Sequence, residues 1–235
     1  MIYVTSDLHG FPLEKFLQLL EQVSFSEDDF LFVLGDVIDR GDEGARLLRW
    51  MAEQPNVQLI LGNHEAMLLG CRFLFREVNE GSLADLSEAD LQLYSTWMFN
   101  GADPTLKGLK TILKEEPDIW EGILDLLQEA PLYDTVTVDG RHYILVHAGL
   151  DHFDPDKPLH RYADSDLLWA RPTLQTRYFP EARVVFGHTP TEFIDPEKKG
   201  RAIVTDTWTC IDTGVATGGS PMLLRLDDEK EFYLQ

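Results

Sequence analysis

The sequence predicts an α/β protein with a largely parallel first β-sheet, helices on its face, and a second, more antiparallel sheet packed on the first. Three observations carry this. Apolar β-type runs alternate with helically spaced segments over the first sixty or so residues. A long middle stretch has helical spacing interrupted by prolines. The remainder breaks into short strands separated by Gly, Pro and Asp. Strand–helix alternation feeds a parallel sheet covered by helices, whereas short strands with frequent turn residues feed antiparallel pairing.

Ile2–Thr5 is a short strand, and Phe11–Val23 follows with Leu13, Phe16, Leu17 and Leu20 at helical spacing. Phe30–Leu34 is an apolar strand, Glu43–Glu53 a helix with Leu47, Leu48 and Met51 on one side, and Val57–Leu61 a third strand. A helix starts near Glu65, and from about 66 to 131 the pattern is helical, with Pro104, Pro117 and Pro131 as breaks. Thr135–Val138 and Arg141–Val146 flank Asp139-Gly140 as a hairpin. Arg183–Phe186, Ala202–Thr205, Thr209–Ile211, Met222–Leu226 and Glu231–Leu234 complete the expected second sheet. No linker, repeat or low-complexity tract divides the chain, so one domain over 1–235 with a helical insertion is expected.

The chain has 235 residues, 44% of them hydrophobic, enough for a sizeable core. A net charge of −21 argues against a nucleic-acid or anionic-membrane partner, which needs a basic face. Cys71 and Cys210 are far apart and form no CxxC pattern, so two reduced thiols are expected. With no apolar run near the roughly 20 residues of a membrane span and Asp7 arriving too early for a signal peptide, the expectation is a cytoplasmic protein.

Against this background five short runs stand out, each following an apolar β-type segment: Asp7-Leu8-His9-Gly10, Gly35-Asp36-Val37-Ile38-Asp39-Arg40-Gly41, Gly62-Asn63-His64-Glu65, His147-Ala148-Gly149 and Gly187-His188-Thr189. Parallel sheets bind ligands at the carboxyl ends of their strands, where the first three runs fall. Asp, Asn and His are ligand types for hard to borderline divalent cations, and Mn2+, Fe or Zn fits this mixture. Asp7 and His9, two apart, reach the same side if the chain is extended. The Asp36 carboxylate can bridge two ions, which sit about 3.5–4 Å apart in two-metal hydrolytic sites. Two divalent ions outweigh the charges of Asp7 and Asp36, so the centre stays cationic and can hold a phosphate within an acidic protein. A water bridging the ions would be the nucleophile for in-line attack on phosphorus.

His64 adjoins Asn63 and is the candidate acid for the leaving oxygen, with Asp39 as its partner. Arg40 adjoins this pair and can fork onto two phosphate oxygens. On spacing alone Arg171, Arg161 and Arg177 are equivalent candidates for a second clamp. His142, His152 and His160 read as packing or surface residues, and Gly214, Gly218 and Gly219 do not form a dinucleotide fingerprint.

Together, Asp-x-His-Gly, Gly-Asp-x-x-Asp-Arg-Gly, Gly-Asn-His-Glu, His-Ala-Gly and Gly-His-Thr-Pro resemble the phosphoprotein phosphatase family of calcineurin-like metallophosphoesterases, in its small bacterial and phage-type form. The similarity extends to Asn100-Gly101, Thr105-Leu106 and Ile211-Asp212-Thr213-Gly214, with Ala102 standing where such relatives often have glycine. The resemblance implies two packed mixed sheets, a β-sandwich, flanked by helices and holding a dinuclear centre commonly active with manganese. It implies Asp7, His9 and Asp36 on one metal, and Asp36, Asn63, His147 and His188 on the other. His64 with Asp39 would be the acid pair, and Arg40 and Arg171, with Asn63, the phosphate contacts. The activity implied is hydrolysis of phosphoserine or phosphothreonine, with phosphotyrosine as a further substrate, in a protein or peptide. A dinucleoside tetraphosphate or other small phosphoester is the alternative substrate, and an inactive scaffold is disfavoured by the full ligand set.

Overall fold

The computed structural model describes residues 1–76 and 86–234. The stretch 77–85 of the expected insertion lies outside the described residues.

The first sheet contains β1 (Ile2–Thr5), β2 (Phe30–Val33), β3 (Val57–Leu59), β9 (Met222–Arg225) and β10 (Lys230–Tyr233), in the order β10-β9-β1-β2-β3. Strands β1, β2 and β3 are parallel, with Tyr3 opposite Leu31 and Leu31 opposite Val57. Between them run α1 (Leu13–Gln22) and α2 (Gly44–Ala52), the right length for parallel crossovers. The second sheet contains β4 (Tyr133–Val138), β5 (Arg141–Val146), β6 (Ala182–Phe186), β7 (Ile203–Val204) and β8 (Trp208–Cys210), in the order β4-β5-β6-β8-β7.

Two expectations change. The last two strands join the first sheet rather than the second, with β9 antiparallel to β1 and β10 antiparallel to β9. The second sheet is half parallel: β4 with β5 and β7 with β8 are antiparallel, but β5 with β6 and β6 with β8 are parallel. Short strands bounded by turn residues carry no information about direction or sheet membership. The long connection from β5 to β6 permits a parallel return.

Side-chain alternation explains how the sheets pack. On the first sheet, Val4, Phe32, Met222 and Leu224 face inward with Tyr143, Leu145 and Val185 of the second, forming the inter-sheet core. The opposite face of the first sheet (Tyr3, Leu31, Val33, Leu59, Leu223) packs on the helices. These include α3 (Asn63–Gly70), α4 (Glu88–Phe99), α5 (Asp103–Glu115) and α6 (Pro117–Glu129). The outer face of the second sheet (Ile144, Val146, Val184, Phe186) packs on Leu150, Tyr162 and Tyr178 and on Leu167 of α7 (Asp164–Leu168). A further short helix, α8 (Thr191–Ile194), follows β6. Cys71 and Cys210 are free and buried. Among the described residues, no helix is long and apolar enough to cross a membrane.

Candidate metal centre

The carboxyl ends of β1, β2 and β3 open into three loops whose backbones stay tied together beyond the strands. Asp7 N–H donates to Gly35 O at 3.0 Å, His9 N–H to Asp36 O at 2.8 Å and Gly10 N–H to Val37 O at 2.8 Å. The backbone there is not extended. Asp7 has φ +53° and His9 φ +40°, so the extended-chain reason for placing them together fails. Both instead adopt left-handed conformations on either side of Leu8, which is buried in the helix-side core. Asp36, Asp39, Arg40 and His188 also have positive φ. Non-glycine residues seldom occupy that region, and such strain gathers at functional sites where the surroundings over-determine it.

Asn63 differs likewise from expectation. It does not end β3 but opens α3, four residues beyond Leu59. The helix N-terminus therefore points at Asp36, whose Oδ1 accepts His64 N–H at 3.1 Å. Glu65, quoted in the motif but given no role, holds the loops together. Its Oε2 accepts Asp36 N–H at 2.7 Å and Gly62 N–H at 3.2 Å, and its Oε1 accepts Val37 N–H at 2.9 Å. A carboxylate at the third position of a helix was the available signal, because it reaches back to orphan backbone donors.

The second sheet supplies the facing half. His147 follows β5 directly and His188 lies two residues past β6. Both oxygens of Asp7 accept His188 N–H, at 3.0 and 2.9 Å, so a side chain of one sheet is held by the backbone of the other. Gly187 makes this approach possible, because a Cβ there would overlap Asp7 Oδ2.

The donor set fits a cation pair. His147 Nδ1 lies 2.7 Å from Leu34 O and His9 Nδ1 3.1 Å from Ile38 O. Each ring then donates through Nδ1 and turns a bare Nε2 inward, the usual second-sphere arrangement of a liganding histidine. His147 Nε2 is 2.8 Å from Asn63 Oδ1, 3.1 Å from His188 Nδ1 and 3.5 Å from Asp36 Oδ1. Acceptors converging at such distances suit a positive charge placed among them. Protonation of the rings is a poor source of it: burial lowers the His147 pKa, and pulls His9 and His188 down to about 3. The Asp7 carboxyl is pushed up by burial, then by Asp212 and Asp36. Asp36 is driven below its ordinary value because the four surrounding histidines outweigh its burial. His188 Nε2 is buried without a hydrogen-bond partner. Ligand atoms fall into two groups that share Asp36, one with His9 and His64 and the other with His147 and His188. Asp7 lies outside both groups, although its carboxylate borders them through His188 N–H.

His64 and Asp39 do meet: Nδ1 is 2.6 Å from Asp39 Oδ2, and both side chains are buried. Burial alone would lower the His64 pKa, but Asp36 and the Asp39 hydrogen bond outweigh it and raise it. Arg40 reaches inward, with Nη1 3.1 Å from His9 Nε2 and Nη2 3.4 Å from His64 Nε2. The second arginine, undecided by spacing, is distinguished by position. Arg171 donates to Thr189 Oγ1 at 3.3 Å, and its charge helps to lower the His188 pKa. Arg177 spends Nη1 on the carbonyls of Leu174 and Thr176. Arg161 sits exposed in the turn Leu159–Arg161. His142, His152 and His160 are exposed, and His152 lies 3.0 Å from Asp166. Ala102 is fully buried with φ −70°, a conformation that needs no glycine.

With fold and geometry in hand, comparison with known proteins defines the class. The family model for calcineurin-like phosphoesterases matches residues 1–206, and the chain belongs to that family. A relative from Nitrosospira multiformis, a symmetrical bis(5'-nucleosyl)-tetraphosphatase, is 27% identical across 100% of this chain and 95% of that protein. One of the same name from Chromobacterium violaceum is 33% identical over 101 residues, but the match takes in only 41% of this chain and 36% of that protein. Among solved structures, a candidate diadenosine tetraphosphatase superposes with TM-score 0.61 at 17% identity, covering 98% of this chain and 90% of that one. A protein serine/threonine phosphatase from Saccharomyces cerevisiae superposes with TM-score 0.53 at 15% identity, covering 98% and 79%. At such identities these structures share the fold.

Proposed function

We propose that this chain is a two-cation phosphoesterase that hydrolyses phosphomonoesters, with phosphoserine and phosphothreonine in proteins or peptides as its substrates. The observation that carries the reading is the buried His64–Asp39 pair beside the shared Asp36. Asp7, His9 and Asp36 would hold one ion, and Asp36, Asn63, His147 and His188 the other. Mn2+ suits this oxygen and nitrogen set, as do Fe and Zn. When bound, the cations neutralise phosphoryl charge and acidify coordinated water.

The side chains do the rest. Arg40, beside His9 and His64, and Arg171, beside Thr189, can grip the non-bridging phosphoryl oxygens, and the Asn63 amide can add an Nδ2–H donor. Arg40 leaves His9 and His64 to do so. That frees His64 Nε2 to face the leaving oxygen while Asp39 holds Nδ1. The His64 proton then passes from Nε2 to that oxygen as its bond to phosphorus breaks. Buried walls keep bulk water from this proton.

A second reading, hydrolysis of dinucleoside tetraphosphates, is supported by the names of the curated relatives. The two are separated by measuring kcat/KM for a phosphothreonine peptide and for diadenosine tetraphosphate side by side with Mn2+. A higher value for the peptide is expected, and a higher value for the nucleotide would reverse the order.

A further inference from the structure

Three contacts tie the helical insertion to the loop that carries Asp39 and Arg40. Asp39 N–H donates to Thr105 Oγ1 at 2.8 Å, Arg40 N–H donates to Gly101 O at 2.9 Å, and the indole Nε1–H of Trp97 donates to Asp39 Oδ2 at 2.8 Å. Trp97 and Thr105 are buried on α4 and α5, on either side of Gly101. The Asp39 oxygen that receives the indole is the one that receives His64 Nδ1, and the other oxygen, Oδ1, is buried without a partner.

We propose that Trp97 is a positioning residue that sets the rotation of the Asp39 carboxylate and, through it, the direction of His64 Nε2. The inference rests on the reading of His64 as the proton donor. An indole N–H donates and never accepts, so it can bond Asp39 only through an oxygen lone pair. With Thr105 fixing the Asp39 backbone and Trp97 fixing its head, the carboxylate cannot swing Oδ1 toward His64. The links of Asp39 to Thr105, Trp97 and His64 are all buried, where an unmade hydrogen bond is not replaced by water. The insertion thus reaches the chemistry through one N–H, although among its described residues no side chain is a candidate ligand.

The test uses the Mn2+-loaded protein and aryl phosphates graded from 2,4-dinitrophenyl to phenyl phosphate. Good leaving groups depart without a proton, whereas poor ones need it. Trp97→Phe keeps a ring in the core and removes the donor. It should lower kcat for phenyl phosphate roughly 5–20-fold, a fraction of the whole general-acid contribution, leaving 2,4-dinitrophenyl phosphate and both KM values unchanged. In the His64→Asn background it should add nothing. In metal-free protein the downfield His64 Nδ1–H proton resonance should broaden. If Trp97→Phe unfolds the protein, benzothienylalanine at position 97, which replaces N–H by sulfur at nearly constant shape, serves instead. Equal loss across the series, no loss, or full additivity with His64→Asn overturns the inference. The two readings fail differently. If His64→Asn alone shows no leaving-group dependence, the acid assignment falls and this inference with it. If His64→Asn shows it and Trp97→Phe does not, only the role of Trp97 falls.

Discussion

The two halves of the centre are built differently. The half contributed by the first sheet (Asp7, His9, Asp36, Asn63 and His64) lies on two loops with left-handed residues and on the start of α3, laced together by backbone hydrogen bonds and by Glu65. The half contributed by the second sheet (His147, His188 and Arg171) has a lighter lacing, with Gly187 N–H donating to His147 O at 2.8 Å and Ala148 N–H to Leu167 O at 3.1 Å. His147 is anchored across the sandwich to Leu34 O, and His188 holds Asp7 through its backbone. The first half is a rigid local frame. The second is positioned by how the sheets stack, and a shift of one sheet over the other would separate its ligands from the frame.

Removing the group common to both halves should have the largest effect. Asp36→Asn is expected to lose bound metal and at least roughly 10³ in kcat/KM, since metal ions contribute several kcal/mol to such reactions. Elemental analysis beside an aryl phosphate assay checks this, and unchanged two-ion stoichiometry would mean that the halves bind independently. Next, His64→Asn should lower kcat by roughly 10²–10⁴-fold at unchanged metal content. Unchanged kcat removes the acid role, and lost metal would make His64 a ligand alongside His9. The frame itself is tested by Glu65→Gln, which sets an amide against buried backbone donors. A loss of about 2–4 kcal/mol in stability and of roughly 10–100-fold in metal affinity is expected. His188→Ala should show a similar loss of affinity with a smaller change in melting temperature, because no loop depends on its side chain. If both variants melt alike, the contrast between the halves disappears. The smallest effect is expected at the rim. Arg171→Ala should raise KM roughly tenfold, as for one charge-assisted hydrogen bond, while Arg177→Ala changes nothing measurable.

Most of the frame was legible in sequence because its parts are local. Strand, loop and candidate ligand lie within a few residues of each other, so Asp7, Asp36 and Asn63 stand out by following apolar runs, as His147 and His188 do in the second half. Asp7 and His9 depart from the extended backbone that their spacing suggests: both are left-handed, and of the two only His9 falls in a ligand group with Asp36. Glu65 and Trp97 went unassigned because their partners are backbone donors and a distant carboxylate, which leave no periodic trace. The chain order by itself determined the strand–helix alternation, the acidic composition and the candidate ligand types, all set by short-range spacing and composition. Only the tertiary structure decided which arginine faces the centre, which sheet receives the last two strands, and which oxygen of Asp39 meets His64. Each of those depends on residues far apart in sequence meeting in space, and neither a hydrophobic period nor a turn signal encodes that.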